Sequence, residues 1–331
     1  MRFRRQRRAR SFGRLLIRRA IQSVVLILVL IIVNFLLIHL APGDPVHLLA
    51  GQSGDEKYYE FIRAKFGLDQ PLATQLWIYL ASVLRGDLGY SLSHQQPVAA
   101  VIFGRAPATL LLMLSAVSLS SIFGVVLGVE SARRGHSLTD RAINTFTLLG
   151  FSVPSFSIGH LLLIVFALYL GIFPAQNMSS ANQELTGLDY LLDVLEHLAL
   201  PALTLSIVQL AMMMRLTRTQ MMSVLGENFI TTARAKGVKE RRVVYGHALR
   251  NALLPIVTVV GNDVGMLLSG AVLVETVFAW PGLGRLMLQA VETRDYPILM
   301  GLFLLISISV AAINFVTDII YSRLDPRIGN S

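Results

Sequence analysis

Six stretches of the chain, residues 21–40, 109–129, 143–171, 198–214, 253–274 and 298–321, are long, apolar and nearly free of charge. Each reaches or approaches the ~20 residues a helix needs to cross ~30 Å of hydrocarbon. A backbone in lipid has no water to bond to, so a spanning run is either a helix or one strand of a closed barrel. The period-two alternation of a barrel is absent. Composition agrees: 54% of the 331 residues are hydrophobic and 15% charged, too little charge to cover a soluble surface of this size. The expected fold is therefore all-α, a polytopic membrane protein with six transmembrane helices. The third run is overlong and contains Pro154, which predicts a tilt or kink. The fourth is short, with Pro201 near its outer end.

Basic residues orient these spans. With the amino terminus inside, the inner segments carry nine, three, eight and two Arg and Lys residues, against five, none and two in the outer loops. Such a bias places both termini in the cytoplasm. The second outer loop is acidic, with Glu184, Asp189, Asp193 and Glu196. The net charge of +9 is concentrated at the start, where nine arginines precede residue 20. Beside a spanning run these read as a cytoplasmic anchor, not as a nucleic-acid site. The apolar run that follows is of spanning length and lacks a small-x-small cleavage site, which argues against a signal peptide. Two regions result: a basic cytoplasmic segment over residues 1–20 and a transmembrane domain over 21–331. The latter includes an extracytoplasmic cap at 42–108 and a cytoplasmic loop at 215–252.

Helical spacing fills in the connections. Tyr58, Phe61 and Ile62, then Leu72, Leu76, Tyr79, Leu80 and Val83, predict two short cap helices joined by the turn from Gly67 to Pro71. Leu283, Leu286, Met287, Ala290 and Val291 predict an amphipathic helix after Trp280-Pro281-Gly282. In the cytoplasmic loop, Gly237 follows Ala233-Arg234-Ala235-Lys236, a pattern that ends a helix in a left-handed residue. A second helix is expected over about residues 239–251. Two short helices joined by small residues suit docking into a groove on a partner. On composition alone the segment reads first as an ordinary basic loop that only sets topology.

The motif Ala233-Arg234-Ala235-Lys236-Gly237, continued by His247-Ala248-Leu249-Arg250-Asn251-Ala252-Leu253-Leu254-Pro255, resembles the cytoplasmic loop of permease subunits in bacterial ABC importers of the dipeptide, oligopeptide and nickel class. Pro42-Gly43-Asp44-Pro45, Gly86-Asp87-Leu88-Gly89, the stretch from Glu275 to Gly284, and Asp295-Tyr296-Pro297 add to the likeness in the family's order. The chain departs from the family at Asn228 and Thr231, where an aspartate and an arginine are frequent. The resemblance implies a type I permease fold in the cell inner membrane. It assigns ATPase coupling to Ala233, Arg234, Ala235, Lys236, Gly237, His247, Arg250, Asn251 and Pro255. As partners it implies a second homologous permease, two ATP-binding subunits and an extracytoplasmic substrate-binding protein, besides membrane lipid.

Physical checks fit that reading. None of Lys57, Lys65, Lys236 and Lys239 follows a glycine, so there is no phosphate-binding loop and ATP hydrolysis must belong to other chains. The absence of cysteine removes disulfides, thiolate metal sites and cysteine nucleophiles. No serine-hydrolase elbow or paired-histidine metal motif is present, so no enzyme and no cofactor is expected. An ion-gradient-driven transporter stays open on Asp263 and Asp318, since carboxylates within spans are costly unless they face water or a partner. Asp263, Asn262, Ser269 and Asn314 are the candidate pathway residues. The cargo is a dipeptide, a longer peptide, glutathione or a nickel chelate.

Overall fold

The computed structural model describes residues 20–36, 39, 46, 55–91, 93–135, 137–180 and 185–324. The arginine-rich start, the Pro42-Gly43-Asp44-Pro45 motif and the side chains of residues 258–270 lie outside the described residues. In chain order the elements are α1 (Ala20–Leu36), α2 (Glu56–Phe66), α3 (Leu72–Leu84), β1 (Tyr90–Ser91), β2 (Gln96–Pro97), α4 (Val98–Arg133), α5 (Leu138–Ser152) and α6 (Ser155–Leu162). They continue with α7 (Gly187–Leu225), α8 (Asn228–Ala235), α9 (Glu240–Arg242), α10 (Leu249–Val277), α11 (Leu283–Glu292) and α12 (Tyr296–Leu324). Among the described residues, each of the six apolar runs is mostly helical. Among the described residues, three helices are long and apolar enough by themselves to cross a membrane: α4, α7 and the part of α12 over Tyr296–Thr317. The chain forms two compact units, Met1–Pro107 with Gly282–Ser331, and Ala108–Pro281.

In the first unit, the cap helices form where the spacing places them. Asp55 opens α2 by accepting a hydrogen bond from the Tyr58 amide at 2.8 Å, and Gly67 closes it at φ 59°. A Cβ on Gly67 would lie 2.8 Å from Ile78 Cδ1, a side-chain tip that can shift, so it is the left-handed conformation that calls for glycine. Gln75 is buried and fastens this corner. Its amide donates to the Gln70 carbonyl at 2.8 Å, and its Oε1 lies 2.8 Å from His39 Nε2. The amphipathic helix α11 buries Leu283, Leu286 and Ala290 with Val98, Ile102, Ile298 and Leu302. Val291, expected on that buried face, is exposed. Asp295 starts α12, accepting from the Ile298 amide at 3.3 Å and from the Ser91 hydroxyl at 2.5 Å.

The second unit contains the larger departures from the sequence reading. The third apolar run is broken: α5 ends at Ser152, Val153 is extended, and α6 begins after Pro154, whose ring cannot continue a helix ladder. A wider π-helical segment, Leu163–Tyr169, then completes it. The fourth run is the middle of α7, a helix of 39 residues with Pro201 inside it. Charged flanks such as Asp193 and Arg218 hide its length from a search for apolar residues. Helix α4 passes α7 at Gly124 and Gly128, where a Cβ would lie 2.7 Å from Met213 Cβ and 2.6 Å from Thr217 Cβ. Trp280 is fully buried, donating from Nε1 to the Ala108 carbonyl at 2.9 Å, and Thr109 donates to the buried Glu275 carboxylate at 2.6 Å. The family-like stretch from Glu275 to Gly284 thus supplies a structural anchor.

Candidate coupling surface

The cytoplasmic-loop candidates sit on a compact support. After α7 ends, Gly226 and Glu227 make the turn into α8, and Ile230 drops into a cluster with Val129, Met221, Val243, Val244, Ala248 and Ala252, all buried. Ala233, Val238 and Leu249 pack against this cluster. With Ile230 and Ala233 turned inward, Arg234, Ala235, Lys236 and Gly237 are left exposed. Gly237 has φ 73°, its amide donating to the Arg234 carbonyl at 2.9 Å while the Val238 amide donates to the Ala233 carbonyl at 3.2 Å. This pair of bonds, with Val238 packing beneath, is the Schellman termination that glycine favours.

The second half of the loop differs from expectation. A regular helix over about 239–251 is replaced by one turn, α9, and a π-helical segment, Val243–Ala248, running directly into α10. The wider turn brings Val243, Val244 and Ala248 toward one side, where all three are buried, and leaves Tyr245, Gly246 and His247 outside. His247, Arg250 and Asn251 are exposed, and Asn251 donates its side-chain amide to the His247 carbonyl at 2.8 Å. Pro255 lies half-buried within α10. Arg234 ties the two halves with a two-point contact to Glu240, Nη2 to Oε1 at 2.7 Å and Nε to Oε2 at 3.2 Å. Those hydrogen bonds hold the Glu240 carboxyl below its ordinary value and raise the Arg234 guanidinium.

Arg218, near the start of this loop in sequence, makes a contact that sequence reading missed. Its Nε and Nη2 bind the two oxygens of Asp140 at 2.8 and 3.0 Å, and the Ser131 hydroxyl donates to the same carboxylate at 2.5 Å. Asp140 is 4% exposed. The available signal was Ser137 three residues before Asp140: the Ser137 side chain caps α5 by accepting from the Asp140 amide at 3.2 Å, which fixes where that carboxylate starts.

The pathway candidates are more scattered. Asn262, Asp263 and Ser269 lie on α10, and their side chains fall outside the described residues, as does that of Asp318. Asn314 lies on α12 and is exposed. His160 pairs through Nδ1 with the Phe156 carbonyl of its own helix at 2.8 Å. No group of three or more potential metal-ligating side chains occurs among the described residues.

Long apolar helices and an exposed loop over a buried support fit a membrane-embedded protein. Comparison with known proteins agrees: the chain belongs to the family described as binding-protein-dependent transport system inner membrane component, whose model matches residues 120–330. The corresponding amino-terminal model matches residues 12–113. The chain is 39% identical over 312 residues to the glutathione transport system permease protein GsiC of Escherichia coli strain K12, covering 94% of this chain and 97% of that one. GsiC of Salmonella choleraesuis strain SC-B67 is 38% identical over the same shares. Among solved structures, an inward-facing form of the MetNI methionine ABC transporter aligns with TM-score 0.46 and 16% identity, over 65% of this chain and 93% of that one. The protein is thus an ABC importer permease of the type I family, a transport subunit and not an enzyme, and the ion-gradient alternative falls.

Proposed function

We propose that this permease carries peptide-sized solutes, of the dipeptide or glutathione kind, across the bacterial cytoplasmic membrane. Two separate ATP-binding subunits supply the energy, a second related permease completes the pathway, and an extracytoplasmic binding protein delivers the solute. The name of the GsiC relatives, at 39% identity over nearly the whole chain, supports the cargo class. The exposed end of α8 over its buried support is the observation that carries the coupling role, because an element that transmits a push needs a stiff backing.

In this reading Ala233, Arg234, Ala235, Lys236 and Gly237 enter a groove on an ATPase, flanked by His247, Arg250, Asn251 and Pro255. Both termini and residues 215–252 are cytoplasmic, and residues 42–108 are outside, as the basic-residue bias favours. Asp263, with Asn262, Ser269 and Asn314, serves the solute pathway. Support for this comes from the cost of a carboxylate in an apolar run, ~2.5–3.5 kcal/mol on insertion scales when it meets lipid. Uptake by the reconstituted importer tests the cargo. With ATP and binding protein present, labelled glutathione or dipeptide should accumulate, and accumulation of a nickel chelate alone would replace the peptide reading.

A further inference from the structure

Helix α3 of the first unit turns an apolar face without charge outward. Its thirteen residues include no Asp, Glu, Lys or Arg. Gln75 is buried, and Ile78, Tyr79, Ser82 and Val83 are half-buried, so that side is the covered one. Ala73, Trp77 and Leu84 recur at helical spacing on the opposite side, Trp77 70% and Leu84 74% exposed. A helix side turned to water ordinarily carries charged and polar residues, and here only Thr74, at the edge, is polar. Two contacts set the level of this face. The Phe35 and Tyr79 ring centroids lie 6.0 Å apart, and His39 Nε2 is 2.8 Å from Gln75 Oε1. Helix α3 therefore lies beside the outgoing end of the apolar run 21–40. Helix α1, within that run, has no charge from Ala20 to Leu36 and exposes Ile21, Val24, Val25, Leu28 and Val29 on several sides, as a span in lipid does. Phe35 stands five residues before the end of the run, ~8 Å at the helical rise, which is the boundary between hydrocarbon and headgroups.

We propose that α3 lies in the surface of the bilayer, with Trp77 and Leu84 sunk among the upper acyl carbons. Helices of this kind enter the boundary by ~5–10 Å, which matches the level set by Phe35 and His39. Tryptophan suits that depth, since its ring is apolar and its N–H still finds a partner among ester and headgroup oxygens. Arg85, exposed at the end of α3, is placed to meet lipid phosphate. Lipid fits this face better than a protein does. A protein partner is met through an apolar centre with a polar rim, and α3 itself offers no charge for such a rim. The proposal rests on α1 being a span and not on the cargo, and it holds for either side of the membrane.

The chain has two tryptophans, and the other, Trp280, is fully buried. In the complete importer, in phosphatidylcholine vesicles, the emission of the native protein minus that of Trp77→Phe isolates Trp77. Bromine quenches tryptophan only at contact. Phosphatidylcholine brominated in the upper third of its acyl chains should therefore lower the Trp77 emission about threefold, while iodide on both sides of the membrane changes it little. Leu84→Glu, which puts a charge on the same face, should weaken the bromine effect and let iodide in. Quenching of Trp77 by iodide without quenching by brominated lipid places the face in water, and quenching by neither means that a protein covers it; either result overturns the proposal. Val29→Trp in the Trp77→Phe background checks the span beneath it, because Val29 lies midway along the apolar run. Bromine quenching there but not at Trp77 refutes the surface placement of α3 alone, and quenching at neither refutes the span as well. Solute uptake by the same vesicles reports the cargo independently.

Discussion

Asp140 stays charged in a nearly closed site because Arg218 presents two donors to its two oxygens and Ser131 a third. Removing one member of such a pair leaves the other desolvated and unmatched. Arg218 keeps 23% side-chain exposure, so part of that penalty is relieved by water. Asp140→Ala should destabilise the permease by about 2–3 kcal/mol, below the ~3–5 for a fully buried pair. The midpoint of thermal unfolding in detergent reads this, and adding Arg218→Met should recover much of the loss. An unchanged midpoint in Asp140→Ala would refute the role. The Arg234–Glu240 pair is a different case, because both side chains are about half exposed. Glu240 has a depressed pKa, first through hydrogen bonds from Arg234, so the pair's contribution is complete above the ordinary value of 4.5 and fades only as pH falls through the lower folded value. Coupled ATP hydrolysis should accordingly show no step from this pair between about pH 6 and 8. A step in that range that disappears in Glu240→Gln would contradict the assignment.

Helix contacts depend on what the backbone leaves room for. At Gly128 an added Cβ would meet Thr217 Cβ at 2.6 Å and the Met214 carbonyl oxygen at 2.7 Å, and a carbonyl within α7 cannot step aside as a side-chain tip can. Gly128→Val should separate α4 from α7, costing about 3 kcal/mol as overpacking does, and should lower the yield of monodisperse permease. Gly104, with open space around it, should accept alanine without such loss. The same distinction explains which elements were legible in the sequence. The cap helices and the end of α8 could be read because their signals are local: i, i+3, i+4 spacing in α2 and α3, and a glycine after Arg234-Ala235-Lys236. The Asp140–Arg218 pair could not, since its partners are 78 residues apart. The π-helical turn at Val243–Ala248 also escaped, because it depends on which side chains a tertiary cluster accepts. Of the candidate site, the residues of the loop could be proposed as a group from their motif, and the buried support beneath them could not.

At the scale of the whole molecule, the account requires the cap and the coupling loop to face opposite sides of the membrane. The chain has no cysteine, so single cysteines report cleanly. Ser93→Cys, in an exposed turn of the first unit, should react with an impermeant thiol reagent on intact cells, and Ser223→Cys, exposed near the end of α7, only after permeabilisation. The reverse pattern would invert the topology. The central claim, that the exposed end of α8 passes ATP-driven closure to the spans, is tested most directly at Gly237. Nothing beyond the chain neighbours lies within 4 Å of a Cβ there, so the main cost of valine is the left-handed backbone at φ 73°. That strain is ~1–2 kcal/mol, which a folded permease can absorb. In the reconstituted importer, Gly237→Val should keep assembly and basal ATP hydrolysis while losing both stimulation by loaded binding protein and solute uptake; normal stimulation together with normal uptake would contradict the account.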